Sequence, residues 1–227
     1  PAWATTTALR WLLASLLVPG AAVAAPAEDP EADVLGWEAG YWHNESIDID
    51  QSDGLDDAEL DAYVSRTAAR IELIREREVN GTVPVSIISR EEYANRTRGN
   101  ASDDYRAWNN QVWEALFIVG EDQDVQELLH QTATDRAVGA YFFASDEIAI
   151  VADAPNEVTI GRRTLAHELV HAQQDQYVDL ANVSSRARVQ DEQLATNGLI
   201  EGEARFVELQ YEARCETQWD CVSAPGS

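Results

Sequence analysis

The chain has 227 residues, enough for one large domain with short extensions, and 45% of them are apolar. Such a composition is typical of a folded protein. Its 41 acidic residues outnumber 16 basic residues, all of them Arg, and the formal net charge is −25. Because so acidic a surface repels phosphate groups, the composition argues against a nucleic-acid partner. The absence of Lys is typical of a halophilic protein, whose charges concentrated salt would screen; the alternative is an ordinary acidic extracellular protein.

Residues 1–25 are predicted to be a signal peptide. Arg10 precedes an apolar run over 11–24, and small residues around Ala24 offer a cleavage site. The run is short for a membrane span and is interrupted by Pro19. The alternative is an uncleaved anchor, which is the only membrane contact that we expect. The chain contains no Met, so we expect a trimmed start, and we also expect its C-terminus to be truncated.

Two further features favour a secreted or cell-surface location. Five N-x-S/T sequons predict a glycoprotein, since about one would be expected by chance; they begin at Asn44, Asn80, Asn95, Asn100 and Asn182. The two cysteines, Cys215 and Cys221, are close in sequence, and we predict a disulfide between them. The alternative is that each pairs with a cysteine outside this sequence.

The pattern along the rest of the chain predicts an α+β domain over residues 55–227, preceded by an acidic, Pro- and Gly-rich linker over 26–54. Apolar residues at three- and four-residue spacing predict a helix from Asp56 to about Arg77. The later predicted elements are a strand over 83–88, a helix beginning at Ser89, helices over 103–118 and 124–131, a hairpin of strands 140–143 and 147–151, and helices over 157–176 and 189–214.

The sequence His167-Glu168-Leu-Val-His171 lies within one of these helices. Residues i and i+4 project from one helix face, so the two imidazoles can bind one zinc ion. Glu168 lies about 100° round the helix, where it can reach a zinc-activated water and take its proton as general base. The alternative is a helix that merely exposes these three side chains.

A third ligand has to come from elsewhere in the chain. No His follows His171, so we expect a carboxylate, and Glu201 in a mostly apolar helix is the best candidate. Glu203 is an alternative, followed by Asp191 and Glu192. Gly198 and Gly202 weaken that helix, and close approach to the HExxH helix would explain them.

HELVH at 167–171 followed by LIEGEA at 199–204 resembles the gluzincin metallopeptidases. Over residues 53–210 the chain is similar to exported or surface metallopeptidases of haloarchaea. This resemblance implies a zincin-like domain in which a small sheet packs on the HExxH helix. It also implies that zinc is bound by His167, His171 and Glu201 and that Glu168 is catalytic.

The same resemblance implies a substrate-binding strand and support for the ligands. The strand before the HExxH helix is expected to pair with an extended peptide, with plain sheet packing as the alternative; it contains Glu147, Ile148, Ala149 and Ile150. The family often carries an acid four residues after the third ligand, where this chain has Arg205. Glu203 and Asp175 are the candidates for that supporting role.

The sequence therefore predicts a zinc peptidase acting on extracellular proteins or peptides. The alternatives are a non-catalytic surface or envelope protein with a peptidase-derived fold and a zinc hydrolase acting on another bond. Glu168 argues against the binding protein, which needs no general base. A segment from Asp48 to Glu59 resembles a calcium loop, but its glycine stands at the seventh place and not the sixth, so we favour a solvated acidic turn over a calcium site.

Overall fold

The structure is a computed structural model that describes residues 28–153 and 158–223. The predicted signal peptide lies outside these residues. The predicted α+β class is confirmed, because helices and a small sheet both contribute to the fold. The elements are β1 (Trp37–Glu38), β2 (Tyr41–Trp42), α1 (Asp57–Arg75), β3 (Val85–Ser89), α2 (Arg90–Thr97), α3 (Asp103–Ala115), α4 (Val125–Arg136), β4 (Gly139–Phe142), β5 (Glu147–Ala152), α5 (Arg162–Val178), α6 (Leu180–Ser185) and α7 (Gln190–Cys215).

Helix starts follow local capping chemistry where the sequence provides it. Asp56 and Glu59 form a reciprocal capping box at the start of α1, with hydrogen bonds of 2.9 and 3.0 Å. The helix predicted from residue 157 begins only at Arg162. Val158 and Ile160 precede it in non-helical backbone and are buried in the core, so their apolar side chains belong to the entry segment of the helix and not to its first turn.

The strand order of the main sheet is β3-β5-β4. The predicted hairpin is confirmed, since β4 and β5 pair antiparallel, while β5 and β3 pair parallel. β5 is therefore the central strand, and its backbone groups are used on both sides. For this reason the prediction that Glu147, Ile148, Ala149 and Ile150 pair with a substrate is wrong. The edge strands are β3 and β4.

Helices α1, α5 and α7 share one hydrophobic core with the sheet. Tyr63 and Ile71 of α1, Leu165 and Leu169 of α5, and Tyr211 of α7 are all fully buried in it. Together these side chains fix α5 against α7, the two helices that carry the predicted ligands.

Much of the segment predicted as a linker lies against this domain. The Gly36 N–H donates to Glu72 at 2.8 Å, and Arg70 Nε donates to the His43 carbonyl at 2.7 Å. Gln51 accepts from the Ile160 N–H at 2.6 Å. The physical reason is that α1 presents buried polar groups whose partners come from this segment.

The predicted disulfide between Cys215 and Cys221 is present and closes the end of α7. Trp219 lies inside the closed loop, where the Arg70 guanidinium stacks 5.0 Å from its ring. None of the helices described is long and apolar enough to cross a membrane.

Candidate metal centre

Helix α5 holds the two histidines on one face. Leu169 and Val170 are buried in the core, which turns His167 and His171 toward α7. Their rings meet edge to face with centroids 4.7 Å apart, and the two Nε2 atoms lie 3.1 Å apart. The i, i+4 spacing thus places both imidazole nitrogens at one point, as predicted.

Helix α7 contributes the third donor. Glu201 Oε2 lies 3.2 Å from His167 Nε2 and 3.6 Å from His171 Nε2. Hydrogen bonds to the two histidines hold the pKa of Glu201 well below its usual range, so the side chain is an anion at neutral pH. His167, His171 and Glu201 are the group of three such side chains in the described residues whose donor atoms lie close enough to hold a metal ion.

The spacing of these donors can be compared with a zinc site. Zinc binds imidazole nitrogen and carboxylate oxygen at about 2.0–2.2 Å, so ligand atoms of a tetrahedral site lie roughly 3.3–3.5 Å apart. The observed separations of 3.1, 3.2 and 3.6 Å fit that triangle. Three protein donors leave a fourth position for water or substrate, which is the arrangement of a catalytic zinc site.

Gln174 orients His171 from behind. The Nδ1–H of His171 donates to Gln174 Oε1 at 2.9 Å, which leaves the Nε2 lone pair facing the other donors. The amide nitrogen of Gln174 donates to Glu203 at 2.8 Å, and Glu203 pairs with Arg75 at 2.5 Å. Glu203 therefore contacts Gln174 and not the histidines, which is consistent with its predicted supporting role and not with that of a ligand.

Glu208 stands behind His167. Its Oε2 lies 3.5 Å from His167 Nδ1, and only 6% of its side chain is exposed. Arg163 pairs with it at 2.6 Å, and Arg205 makes a second ion pair. Glu208 was not predicted from the sequence, because the expected position for such an acid is one turn after Glu201; a residue seven positions after Glu201 lies on the same helix face.

Asp175 does not take the supporting role predicted for it. One carboxylate oxygen accepts from the Tyr141 hydroxyl at 3.0 Å, and the other accepts from the Leu180 N–H at 2.5 Å. These bonds tie the end of α5 to the sheet and to α6. That prediction is wrong because both carboxylate oxygens of Asp175 are used by Tyr141 and Leu180 and neither hydrogen-bonds to His167 or His171.

Glu168 lies beside the histidines and against β4. It is nearly fully buried, and this burial raises its pKa, although the two histidines and a hydrogen bond from the Tyr141 backbone act in the opposite direction. A Cβ at Gly139 would lie 2.7 Å from Thr164 Cγ2 and 3.3 Å from Glu168 Cγ. The glycine thus allows β4 to approach α5 at the position of Glu168.

Glu168 and His167 also line a cleft of about 690 Å³ that runs toward the N-terminus of α5. Val138 and Thr164 contribute to its wall. The site is therefore open on this side to a molecule larger than water.

The explanation predicted for the glycines of α7 is wrong. Apart from its chain neighbours and the nearby backbone of α7 itself, a Cβ at Gly198 or Gly202 would meet no described atom within 4 Å, so neither glycine is required for close approach to α5. Both lie in the half of α7 that projects into solvent, where Leu199 is also exposed. Nothing in the described structure explains these two glycines.

Comparison of the chain with protein-family models, with curated proteins and with solved structures finds no match.

Proposed function

We propose that this protein is a zinc-dependent peptidase. The observation that carries the proposal is the triangle of His167, His171 and Glu201 donor atoms, which has the dimensions of a tetrahedral zinc site. Two histidines and one glutamate form a ligand set that catalytic zinc sites use. Glu168 adds a general base on the helix that carries both histidines.

When bound, zinc acts as a Lewis acid that activates water and polarises the carbonyl of the substrate. The Glu168 carboxylate accepts the proton of the attacking water and then donates it to the leaving amine nitrogen. Gln174 and Glu208 hold the two imidazole rings in the orientation that leaves their Nε2 atoms free to bind.

The edge of β4 favours the proposal that the substrate is a peptide. β4 pairs with β5 on one side, and no other described strand pairs with its second side. The Tyr141 backbone hydrogen-bonds to Glu168, so this second side faces the candidate general base. An extended peptide can add to such an edge through hydrogen bonds to the main-chain groups that Glu168 does not use, which brings its carbonyl groups to the site. β4 thus replaces β5 as the proposed substrate-binding strand.

Secretion or display at the cell surface also belongs to this proposal. The asparagines of all five sequons are exposed, which makes them accessible to glycosylation. The disulfide is consistent with a location in an oxidising compartment.

The test combines metal content with hydrolysis. Wild type, Glu168→Gln and the exposed control Glu91→Gln are purified in molar KCl, loaded with zinc and assayed on denatured casein. We expect wild type and the control to bind about one zinc and to hydrolyse casein, and Glu168→Gln to bind zinc without hydrolysis. Full hydrolysis by Glu168→Gln, or none by the zinc-loaded wild type on casein and on a mixed peptide library, would refute the proposal.

A further inference from the structure

The cleft beside His167 and Glu168 has an unusual distribution of charge. Two arginines line it, Arg162 and Arg163, together with the carboxylates that they bind, Glu212 and Glu208. Arg162 and Glu212 satisfy each other through two hydrogen bonds of 2.8 and 3.1 Å, a bidentate pair. This pair contributes little net charge to the cleft.

The charge of the other carboxylate, Glu208, is shared by more than one arginine. Glu208 binds both Arg163 and Arg205, so two guanidinium groups share one carboxylate. The carboxylate is 6% exposed, whereas the two arginine side chains are 50% and 52% exposed. Arg163 lines the cleft, so a molecule that enters from solvent meets its half-exposed guanidinium group, whereas the Glu208 carboxylate is buried.

Each of these arginines has donors to spare. Arg163 uses Nε to bind Glu208 and Arg205 uses Nη1, so further N–H groups are free of hydrogen bonds to the described part of the chain. Among the ion pairs of residues 28–153 and 158–223, Glu208 is the carboxylate that two arginines share. In a chain with a formal net charge of −25, Arg163 places a half-exposed guanidinium group in the cleft beside the candidate catalytic residues.

The N-terminus of α5 also contributes positive electrostatic potential to the cleft. Gly161 is the N-cap and supplies no side-chain hydrogen bond, and it lines the cleft together with Arg162. The first N–H groups of the helix carry a partial positive charge that favours an anion.

We infer that the substrate presents a carboxylate to this cleft, so that the enzyme favours peptides with an acidic side chain or a free C-terminus beside the bond that is cleaved. The inference rests on the proposed peptidase function. A guanidinium group binds a carboxylate through two parallel hydrogen bonds, which matches the spare donors of Arg163. A neutral amide of the same shape can form the contacts without the charge and is expected to bind more weakly.

The test uses zinc-loaded Glu168→Gln protein and fluorescently labelled peptides whose binding is measured by anisotropy in 0.5 M KCl. The peptides form matched pairs with Glu or Gln at one position and with a free or amidated C-terminus. We expect the carboxylate member of one pair to bind about five- to tenfold more tightly. The pair that shows the preference distinguishes the acidic side chain from the C-terminal carboxylate.

Further variants connect the preference to the cleft. Arg163→Gln in the same background should reduce the preference to less than twofold, and Arg163→Lys, which keeps a charge for Glu208, should retain part of it. Arg98→Gln, which removes an exposed arginine outside the cleft, is the matched control and should leave the preference unchanged. Zinc content is measured for each variant, so that a loss of metal is separated from a loss of carboxylate binding.

The outcomes separate this inference from the proposed function. Equal binding of both members of every pair, or a preference that survives Arg163→Gln with zinc retained, would overturn the inference. If wild type hydrolyses the Glu and Gln peptides with equal kcat/KM, the peptidase assignment stands and the carboxylate preference falls. If binding selects the carboxylate but wild type cleaves no peptide, the cleft is assigned correctly and the peptidase function is not.

Discussion

Replacing Glu208 by Gln should weaken zinc binding although Glu208 is not a ligand. The substitution keeps the size of the side chain and removes the charge that faces His167 Nδ1. Partners of this kind change metal affinity by about 10- to 100-fold. The separation of 3.5 Å is longer than the roughly 2.8 Å of a strong charge-assisted hydrogen bond. We therefore expect the low end of that range, about tenfold, which corresponds to about 1.4 kcal/mol.

The same substitution should cost the fold little. Arg163 and Arg205 lose their partner, but both are half exposed and remain solvated. The zinc dissociation constant is measured by competition with a chromophoric chelator in molar KCl, and circular dichroism monitors folding. Glu212→Gln is the matched control, because Glu212 lies one turn further along α7 and binds Arg162 and not a histidine. A dissociation constant for Glu208→Gln within twofold of wild type, with the fold intact, would refute the assignment of Glu208 to His167.

Three further predictions concern the ligands, the salt and the pH. Glu201→Ala should abolish tight zinc binding, because it removes one of three donors. Glu203→Ala should weaken zinc binding only about tenfold, because Glu203 acts through Gln174. Zinc affinity is measured by chelator competition, and the reverse order of the two variants would show that the roles are exchanged. The melting temperature should rise as KCl is raised toward 2 M, since a formal net charge of −25 is then screened, and a salt-independent melting temperature would exclude self-repulsion as a major term. Burial and the neighbouring Glu78 raise the pKa of Glu72 to about 8, partly offset by hydrogen bonds from Val79 and Gly36. The protonated form of Glu72 is thus favoured in the folded state, and its contribution to stability is lost as pH rises from about 4.5 through 8. Over that range the melting temperature of Glu72→Gln should fall less steeply with pH than that of wild type or of the exposed control Glu76→Gln. An unchanged slope would contradict this assignment.

Local features of the fold could be predicted because their signals are local. The capping residue Asp56 and helical apolar spacing placed α1 within two residues of its observed ends. The i, i+4 pair of histidines predicted two donors, and Glu201 was preferred over Glu203 as the third; the structure brings His167, His171 and Glu201 together.

Strand order and the support of the ligands were not predictable in the same way. The pairing that makes β5 central joins Val85 to Ile148, which are distant in sequence, and alternation within a strand carries no information about its neighbours. Arg205 lies within reach of Glu208 in the same helix, but Glu208 meets Arg163 and His167 only when α5 and α7 pack together. A sequence pattern indicates which side chains share a helix face, but it does not show which face meets another helix.

The three donors come from two helices, so an ion bound there would join α5 to α7 at Glu201. The C-terminal half of α7 is anchored by buried residues such as Tyr211, but residues 190–203 are almost wholly exposed. A ligand that binds the folded state alone raises stability by RT ln(1 + [L]/Kd), and here that stabilisation would act on the part of α7 with the fewest contacts of its own. Chelation should therefore increase amide hydrogen exchange first in residues 190–203, while α1 and the sheet keep their protection.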